Sequence, residues 1–263
     1  MSSNILARAV RVARNPIPSV NWRIKKVTRA VNRRFKVAAG GPNRPAFYDI
    51  DATLPVFRLL DRNYAVIREE METVLNYKER IPRYHELDKG ESYISGSDDP
   101  LKNWRVFMIH SVAGAPKENQ ARCPRTTALV RQIPKLYQAF FSMLDAGKSI
   151  PAHNGTYFGY LRYHLGLRVP RNNPPTMRVK DQFHTWEEGR SILFDDSWNH
   201  EVMNQSDDLR VVLIVDVLRP LPLPLHAANW VMTRVLMRHS EEAKQVLANI
   251  QKYSQAPAGP ARA

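Results

Sequence analysis

Tyr160-Leu161-Arg162-Tyr163-His164-Leu165-Gly166-Leu167 is the stretch on which the fold turns. It is a short apolar run carrying an arginine and a histidine two positions apart. In an extended chain, residues two apart point to the same side, so Arg162 and His164 share one face of a strand. Working outward, further strand candidates lie at 160–169, 177–186, 190–194, 201–204 and 209–218, separated by turn residues. Short strands with frequent turns predict a sandwich or a barrel.

The flanks read differently. Leu59, Leu60, Val66, Ile67, Met71, Val74 and Leu75 predict helix over 52–75. Residues 82–103 are polar, with Gly90, Gly96 and Pro100, and read as a long loop, whereas 104–110 alternates like a strand. Residues 126–141 predict a helix that Pro134 must break or begin, although Ala139 to Leu144 is strand-like. After Pro220 and Pro222, Trp230, Val231, Val246, Leu247 and Ile250 predict a helix over 227–253.

The chain has 263 residues, enough for one substantial core or two small ones. Its single cysteine, Cys123, excludes an intrachain disulfide and a cysteine-based zinc site, so a reducing compartment, the cytoplasm, is expected. No run approaches the roughly 18 apolar residues of a membrane span. The longest candidate, 211–218, is broken by Asp216.

The net charge of +14 is concentrated in an arm. Ten bases fall in residues 1–36 and no acid precedes Asp49, leaving 29 bases against 25 acids elsewhere. Ile5, Leu6, Ala9, Val10 and Ala13 share one helical face, opposite Arg8, Arg11 and Arg14. Ile24, Val27 and Val31 repeat the pattern. Basic amphipathic helices lie readily on anionic lipid, and peripheral membrane association through 1–36 is the favoured reading. A solvated structural helix, a transit peptide and a nucleic-acid arm compete with it. Nucleic acid is the weaker choice because one aromatic, Trp22, interleaves the bases. Gly40 to Pro45 reads as a linker.

Three histidines sit in suggestive places: His153, His164 and His200. Imidazole suits Fe(II), and an oxygenase iron is usually held by two histidines and one carboxylate with open positions. The usual form is His-x-Asp/Glu, then a distant histidine. Here it reads His153-Asn154-Gly155, so the carboxylate is missing. On spacing alone, two such histidines are more readily structural or solvated than metal ligands.

Longer strings carry more information. Leu161 to Leu167, Thr185-Trp186-Glu187-Glu188-Gly189, Phe194-Asp195-Asp196-Ser197 running into His200-Glu201-Val202, and Arg210 to Asp216 before Arg219-Pro220 together resemble the aspartyl/asparaginyl β-hydroxylase family. These are Fe(II)- and 2-oxoglutarate-dependent dioxygenases that include a lipid A hydroxylase branch. Cys123-Pro124-Arg125-Thr126 and Phe141-Ser142-Met143-Leu144 look like that lipid branch. The resemblance covers residues 100–220, weakens over 50–100 and is absent in the arm.

The resemblance implies a mainly β fold, a double-stranded β-helix (cupin-like jelly roll) with flanking N- and C-terminal helices. It divides the chain into a basic arm and linker (1–45), a dioxygenase domain (46–225, β-helix core about 138–220) and a C-terminal helix and tail (226–263). It makes His153 and His200 the catalytic iron ligands. Arg210 matches the residue that pairs with the distal carboxylate of 2-oxoglutarate, with Ser142 and His164 as helpers. A planar guanidinium suits that bidentate task. Arg162 is expected to meet an anionic group of substrate or cosubstrate, or else to pair with a core aspartate. Asp195 and Asp196 match structural positions, and Trp186 and Trp198 read as packing.

Gly155 agrees with the protein-hydroxylase branch, while lipid A hydroxylases carry aspartate there. A small residue at this place also occurs in iron halogenases. The implied reaction couples oxidative decarboxylation of 2-oxoglutarate to hydroxylation of an unactivated C–H bond using O2. The favoured substrate is a membrane-lipid acyl chain. An aspartyl or asparaginyl side chain in a peptide and a small metabolite are the alternatives, and a catalytically dead jelly-roll binding module is the alternative of another class.

Overall fold

The computed structural model describes residues 22–255. The expected helical face in 5–14 lies outside them. Ten strands occur among the described residues: β1 (Phe47–Tyr48), β2 (Trp104–His110), β3 (Leu136–Leu144), β4 (Ile150–Asn154), β5 (Tyr160–Arg168), β6 (Thr176–Val179), β7 (Gln182–Thr185), β8 (Ser191–Phe194), β9 (Asn199–Met203) and β10 (Arg210–Leu218). They form two antiparallel sheets, a large one ordered β1-β8-β5-β10-β3-β2 and a small one ordered β4-β9-β6-β7. This is the expected β-helix with flanking helices.

Strand alternation separates two cores. On the large sheet, Phe141, Met143, Leu161, Tyr163, Leu165, Val211, Leu213 and Val215 face outward to a helical layer. Phe140, Leu144, Val212 and Ile214 face inward to Met177, Val179 and Val202 of the small sheet. Strands β3 and β10 are thus largely apolar on both faces, whereas β5 turns Arg162 and His164 inward. The helical layer includes Tyr64–Leu75, which buries Ile67, Met71 and Val74 on one face, at i, i+4 and i+7. Phe57 stacks on Tyr163 at 4.3 Å. Glu70 caps the neighbouring helix Pro124–Arg131, accepting from the main-chain N–H groups of Arg125 (2.9 Å) and Thr126 (2.7 Å).

Four local expectations are corrected. Residues 126–141 are not one helix: the helix ends at Arg131, Lys135 adopts a left-handed φ of 57°, and β3 follows. Burial on both faces removed the alternation that marks a strand. The stretch 177–186 is a hairpin of β6 and β7, turning at Lys180 (φ 58°). The polar segment 82–103 is not a plain loop. It holds single helical turns at Tyr84–Leu87 and Ser92–Ser95, each anchored by one buried apolar residue, Leu87 and Ile94. The helix expected over 227–253 is divided into Leu223–Val231, a π-helical continuation Met232–Met237, and Glu241–Ser254. Ser240 caps the last, accepting from the Ala243 N–H at 3.1 Å.

In the arm, the helix Trp22–Ala38 turns Val31 and fully buried Phe35 onto Tyr157, Tyr160 and Met232. The linker region is also anchored, since Arg44 is buried against Asp195 at 2.9 Å.

Candidate active site

The inward faces of both sheets meet in a narrow cavity, and every expected site residue lines it: Ser142, His153, Arg162, His164, His200 and Arg210. The reason is parity. Ser142, Arg162, His164 and Arg210 are all even-numbered positions of β3, β5 and β10, the face turned toward the small sheet. Val212 lies opposite Ser142, and Ile214 opposite His164. Ile150, Met177, Val202 and Ile214 supply apolar walls.

On the small sheet, His153 of β4 and His200 of β9 are direct cross-strand partners, and their rings lie 4.1 Å apart. Each ring is oriented by the carbonyl two residues before it: Nδ1 of His153 donates to Pro151 O (2.8 Å) and Nδ1 of His200 to Trp198 O (2.9 Å). A carbonyl only accepts, so the proton sits on Nδ1 and Nε2 keeps its lone pair. Burial pushes both imidazoles down to about 4, with His200 adding to the effect on His153. Both are therefore neutral at pH 7, the form in which histidine binds a metal. Among the described residues no third His, Cys, Asp or Glu completes a cluster with them. The donor set is two imidazoles with free Nε2 atoms, and it fits a metal such as Fe(II) that tolerates open positions.

Across the cavity, Arg210 is 1% exposed and has no acidic partner among the described residues. Its NH1 donates to Ser142 Oγ at 3.5 Å, its Nε has no partner, and its guanidinium lies over the Trp186 ring at 4.6 Å. Ser142 Oγ also accepts from Trp104 Nε1 at 2.9 Å. His164 lies parallel to Trp186 at 5.9 Å and edge-on to Phe194 at 4.9 Å, with neither ring nitrogen bonded. Burial lowers Arg210 to about 9 and holds His164 well below the usual histidine range. A buried cation without a counter-ion is costly, and an anion brought to this spot would relieve it. The unsatisfied donors of Arg210, the Ser142 hydroxyl and the neutral His164 fit a carboxylate.

Arg162 is already engaged. Its Nε and NH2 donate to Asp216 Oδ1 and Oδ2, both at 2.8 Å, and its NH1 pairs with Asp196 Oδ2 at 3.3 Å. The core-aspartate reading describes it, and its edge toward a substrate anion is taken by these two carboxylates. Asp196 Oδ2 accepts from the Tyr160 hydroxyl at 2.6 Å, while Oδ1 is buried without a partner. Asp195 is structural: Arg44 (2.9 Å) and Arg219 (2.7 Å) clamp it and so fix the turn that leads to His200. Arg44 also covers the Trp198 ring at 3.5 Å.

Sequence reasoning missed Trp104 and Asp216 as site supports. Trp104 opens a strand that was recognised, but its bond to Ser142 spans 38 residues. Asp216 was visible as an acid inside an apolar strand, a signal that a buried cation must face it.

A family model described as Aspartyl/Asparaginyl beta-hydroxylase matches residues 61–220. An ornithine lipid ester-linked acyl 2-hydroxylase from Rhizobium tropici is 34% identical over 224 residues, covering 81% of this chain and 78% of its own. An aspartyl/asparaginyl beta-hydroxylase from Homo sapiens is 30% identical over 170 residues, covering 61% of this chain. The chain spans only 21% of that relative's length. Among solved structures, an RmlC-like cupin with a double-stranded β-helix fold from Methanocaldococcus jannaschii is 18% identical, with a TM-score of 0.26 over 33% of this chain and 73% of its own.

Proposed function

Since the chain belongs to the aspartyl/asparaginyl β-hydroxylase family, we propose that it is an Fe(II)- and 2-oxoglutarate-dependent dioxygenase that hydroxylates an acyl chain of a membrane lipid. The observation that carries the cosubstrate is Arg210, buried, uncompensated and facing the same cavity as two neutral histidines. In this reading His153 and His200 hold the iron through Nε2, with Nδ1 of each kept protonated by its carbonyl partner. Arg210 binds the distal carboxylate of 2-oxoglutarate, Ser142 donates its hydroxyl to the same group, and Trp186 supports the guanidinium from below. His164 stays neutral and offers one N–H. Iron held there would supply the oxidising power for the hydroxylation, in which one atom of O2 enters the C–H bond and the other leaves in succinate as 2-oxoglutarate loses carbon dioxide. The apolar walls exclude water from that chemistry.

Similarity over most of both chains to an acyl hydroxylase supports a lipid substrate. A lipid substrate in turn supports a peripheral position on a membrane. No helix among the described residues is long and apolar enough to cross one. The peptide alternative draws on the shorter match to aspartyl/asparaginyl hydroxylases.

Anaerobic titration with Fe(II) and 2-oxoglutarate tests the reading. The metal-to-cosubstrate charge-transfer band is expected in the wild type and absent from His200→Ala. Succinate release with ornithine lipid, but not with aspartyl peptides, then supports the lipid substrate. If the wild type binds neither iron nor cosubstrate, the enzyme reading fails and the binding-module reading replaces it.

A further inference from the structure

The helix Leu223–Val231 and its π-helical continuation to Met237 have an anchored face and a bare one. On the anchored face Asn229 donates to Gly159 O and accepts from the Tyr157 hydroxyl, each at 2.6 Å, and Met232 is buried beside Phe35. On the other face Leu223, Ala227, Trp230, Val231 and Val235 follow one another at helical spacing. Leu223 is 84% exposed, Trp230 52%, Val231 46% and Val235 45%. Burial in this chain's own core explains the first face and leaves the second without a role.

The helix Trp22–Ala38 packs alongside, and Ala30, Arg33, Arg34, Val37 and Leu225 line a trough between the two. Arg29, Arg33, Arg34 and Lys36 are exposed on it, and Arg238 is exposed beyond the far end of the stripe. Neither the helix Trp22–Ala38 nor the chain from 217 to 240 contains an acidic residue. An apolar stripe framed by cations, with a tryptophan at its middle, has the chemistry of a helix lying in the plane of a bilayer interface.

We propose that this face docks on the anionic surface of a lipid bilayer, with Trp230, Val231 and Val235 entering the interface and the flanking arginines meeting lipid phosphates. The proposal rests on the lipid reading of function and names where that lipid is met. A second copy of the chain is a poorer occupant, because the same cations would face one another across the contact. The attachment expected of residues 1–36 thereby gains a partner, since the apolar stripe belongs to a segment some 200 residues away in sequence.

The test uses the full-length protein and phosphatidylcholine vesicles with or without phosphatidylglycerol. The wild type is expected to sediment with the anionic vesicles at least about tenfold more tightly than with the neutral ones. Trp230→Ser/Val231→Ser should weaken that binding by about tenfold, and Arg33→Glu/Arg34→Glu should abolish the preference for phosphatidylglycerol. Unchanged circular dichroism and unchanged 2-oxoglutarate binding show that each variant is folded. As an independent readout, brominated acyl chains should quench tryptophan emission in the wild type, and Trp230→Phe should bind vesicles but lose most of that quenching. Wild type that ignores anionic vesicles, serine variants that bind as wild type, or quenching undiminished in Trp230→Phe each overturn the proposal. A dimer that the serine variant splits, without vesicle binding, assigns the face to a second copy. Vesicle binding with no lipid turnover would instead sink the substrate reading and leave this surface standing.

Discussion

Gly155 has no room for a side chain because Asp196 fills the space. A β-carbon on Gly155 would lie 2.8 Å from the Asp196 carbonyl oxygen and 2.9 Å from its Oδ1. The Gly155 N–H donates to that same carbonyl at 2.9 Å, so the close approach ties β4 to the turn before His200. The position where a three-ligand iron site carries a carboxylate is therefore closed by main chain.

Gly155→Asp is accordingly expected to bind Fe(II) no more tightly than the wild type. Gly155→Ala should lower stability by about 1–3 kcal/mol, since the Asp196 main-chain carbonyl and a buried carboxylate held by Tyr160 and Arg162 must both move. Isothermal titration with Fe(II) and thermal unfolding check both. Tighter iron binding by Gly155→Asp at an unchanged melting temperature would show that the turn yields.

Arg210→Met removes a buried charge that no acid among the described residues neutralises and keeps the packing on Trp186. The variant is expected to be as stable as the wild type, or more stable by about 1–3 kcal/mol. Its affinity for 2-oxoglutarate should fall by 2 kcal/mol or more, roughly thirtyfold. A chemical-denaturation midpoint beside a 2-oxoglutarate titration separates the two effects. A large loss of stability would mean that Arg210 has a structural counter-ion.

Arg162 is the opposite case. Arg162→Ala leaves Asp196 and Asp216 buried without their shared cation, at an expected cost of about 3–5 kcal/mol. Arg162→Lys should recover only part, because one ammonium cannot reproduce the two parallel bonds to Asp216. Urea denaturation of the three proteins gives the order, and equal stability of Arg162→Ala and wild type would refute it.

His110, at the end of β2, titrates away from the active site. Burial pushes it down to about 4, helped by Arg234, Arg131 and Arg238, and its Nε2 has no partner. Its folded value lies below the usual 6.5, so between these values the unfolded chain binds more protons. Stability from this group is complete above pH 6.5 and is lost as pH falls toward 4, by an amount on the order of 3 kcal/mol. His110→Gln should show a shallower loss over that window in pH-dependent unfolding. A wild-type slope retained in the variant would place the acid sensitivity elsewhere.

Much of this molecule is legible in its residues. Turn-bounded apolar runs disclose a β core, the placement of Arg162 and His164 on one face follows from the two-residue period, and the spaced strings around His153, His200 and Arg210 pick out the residues that line one cavity. The first two are local properties, written in residue type and spacing, whereas the third rests on resemblance to a known family, because spacing alone does not single out the histidines. Strand β3 is legible only in part: 139–144 look strand-like, but its first residues fall within an expected helix, with Pro134 as an ambiguous mark.

What tertiary structure alone decided are the pairings across long chain separations. Arg162 meets Asp216, 54 residues on, and is spent there, while Arg210 meets no acid among the described residues. Both are arginines in apolar strands and nothing local distinguishes them. Register makes the difference: the β5–β10 ladder places Arg162 directly opposite Asp216, whereas on the other side of β10 the β3–β10 ladder sets Leu144 opposite Arg210. A buried charge is stable or poised for a ligand according to which residue stands across from it, and that is a property of the packed sheets.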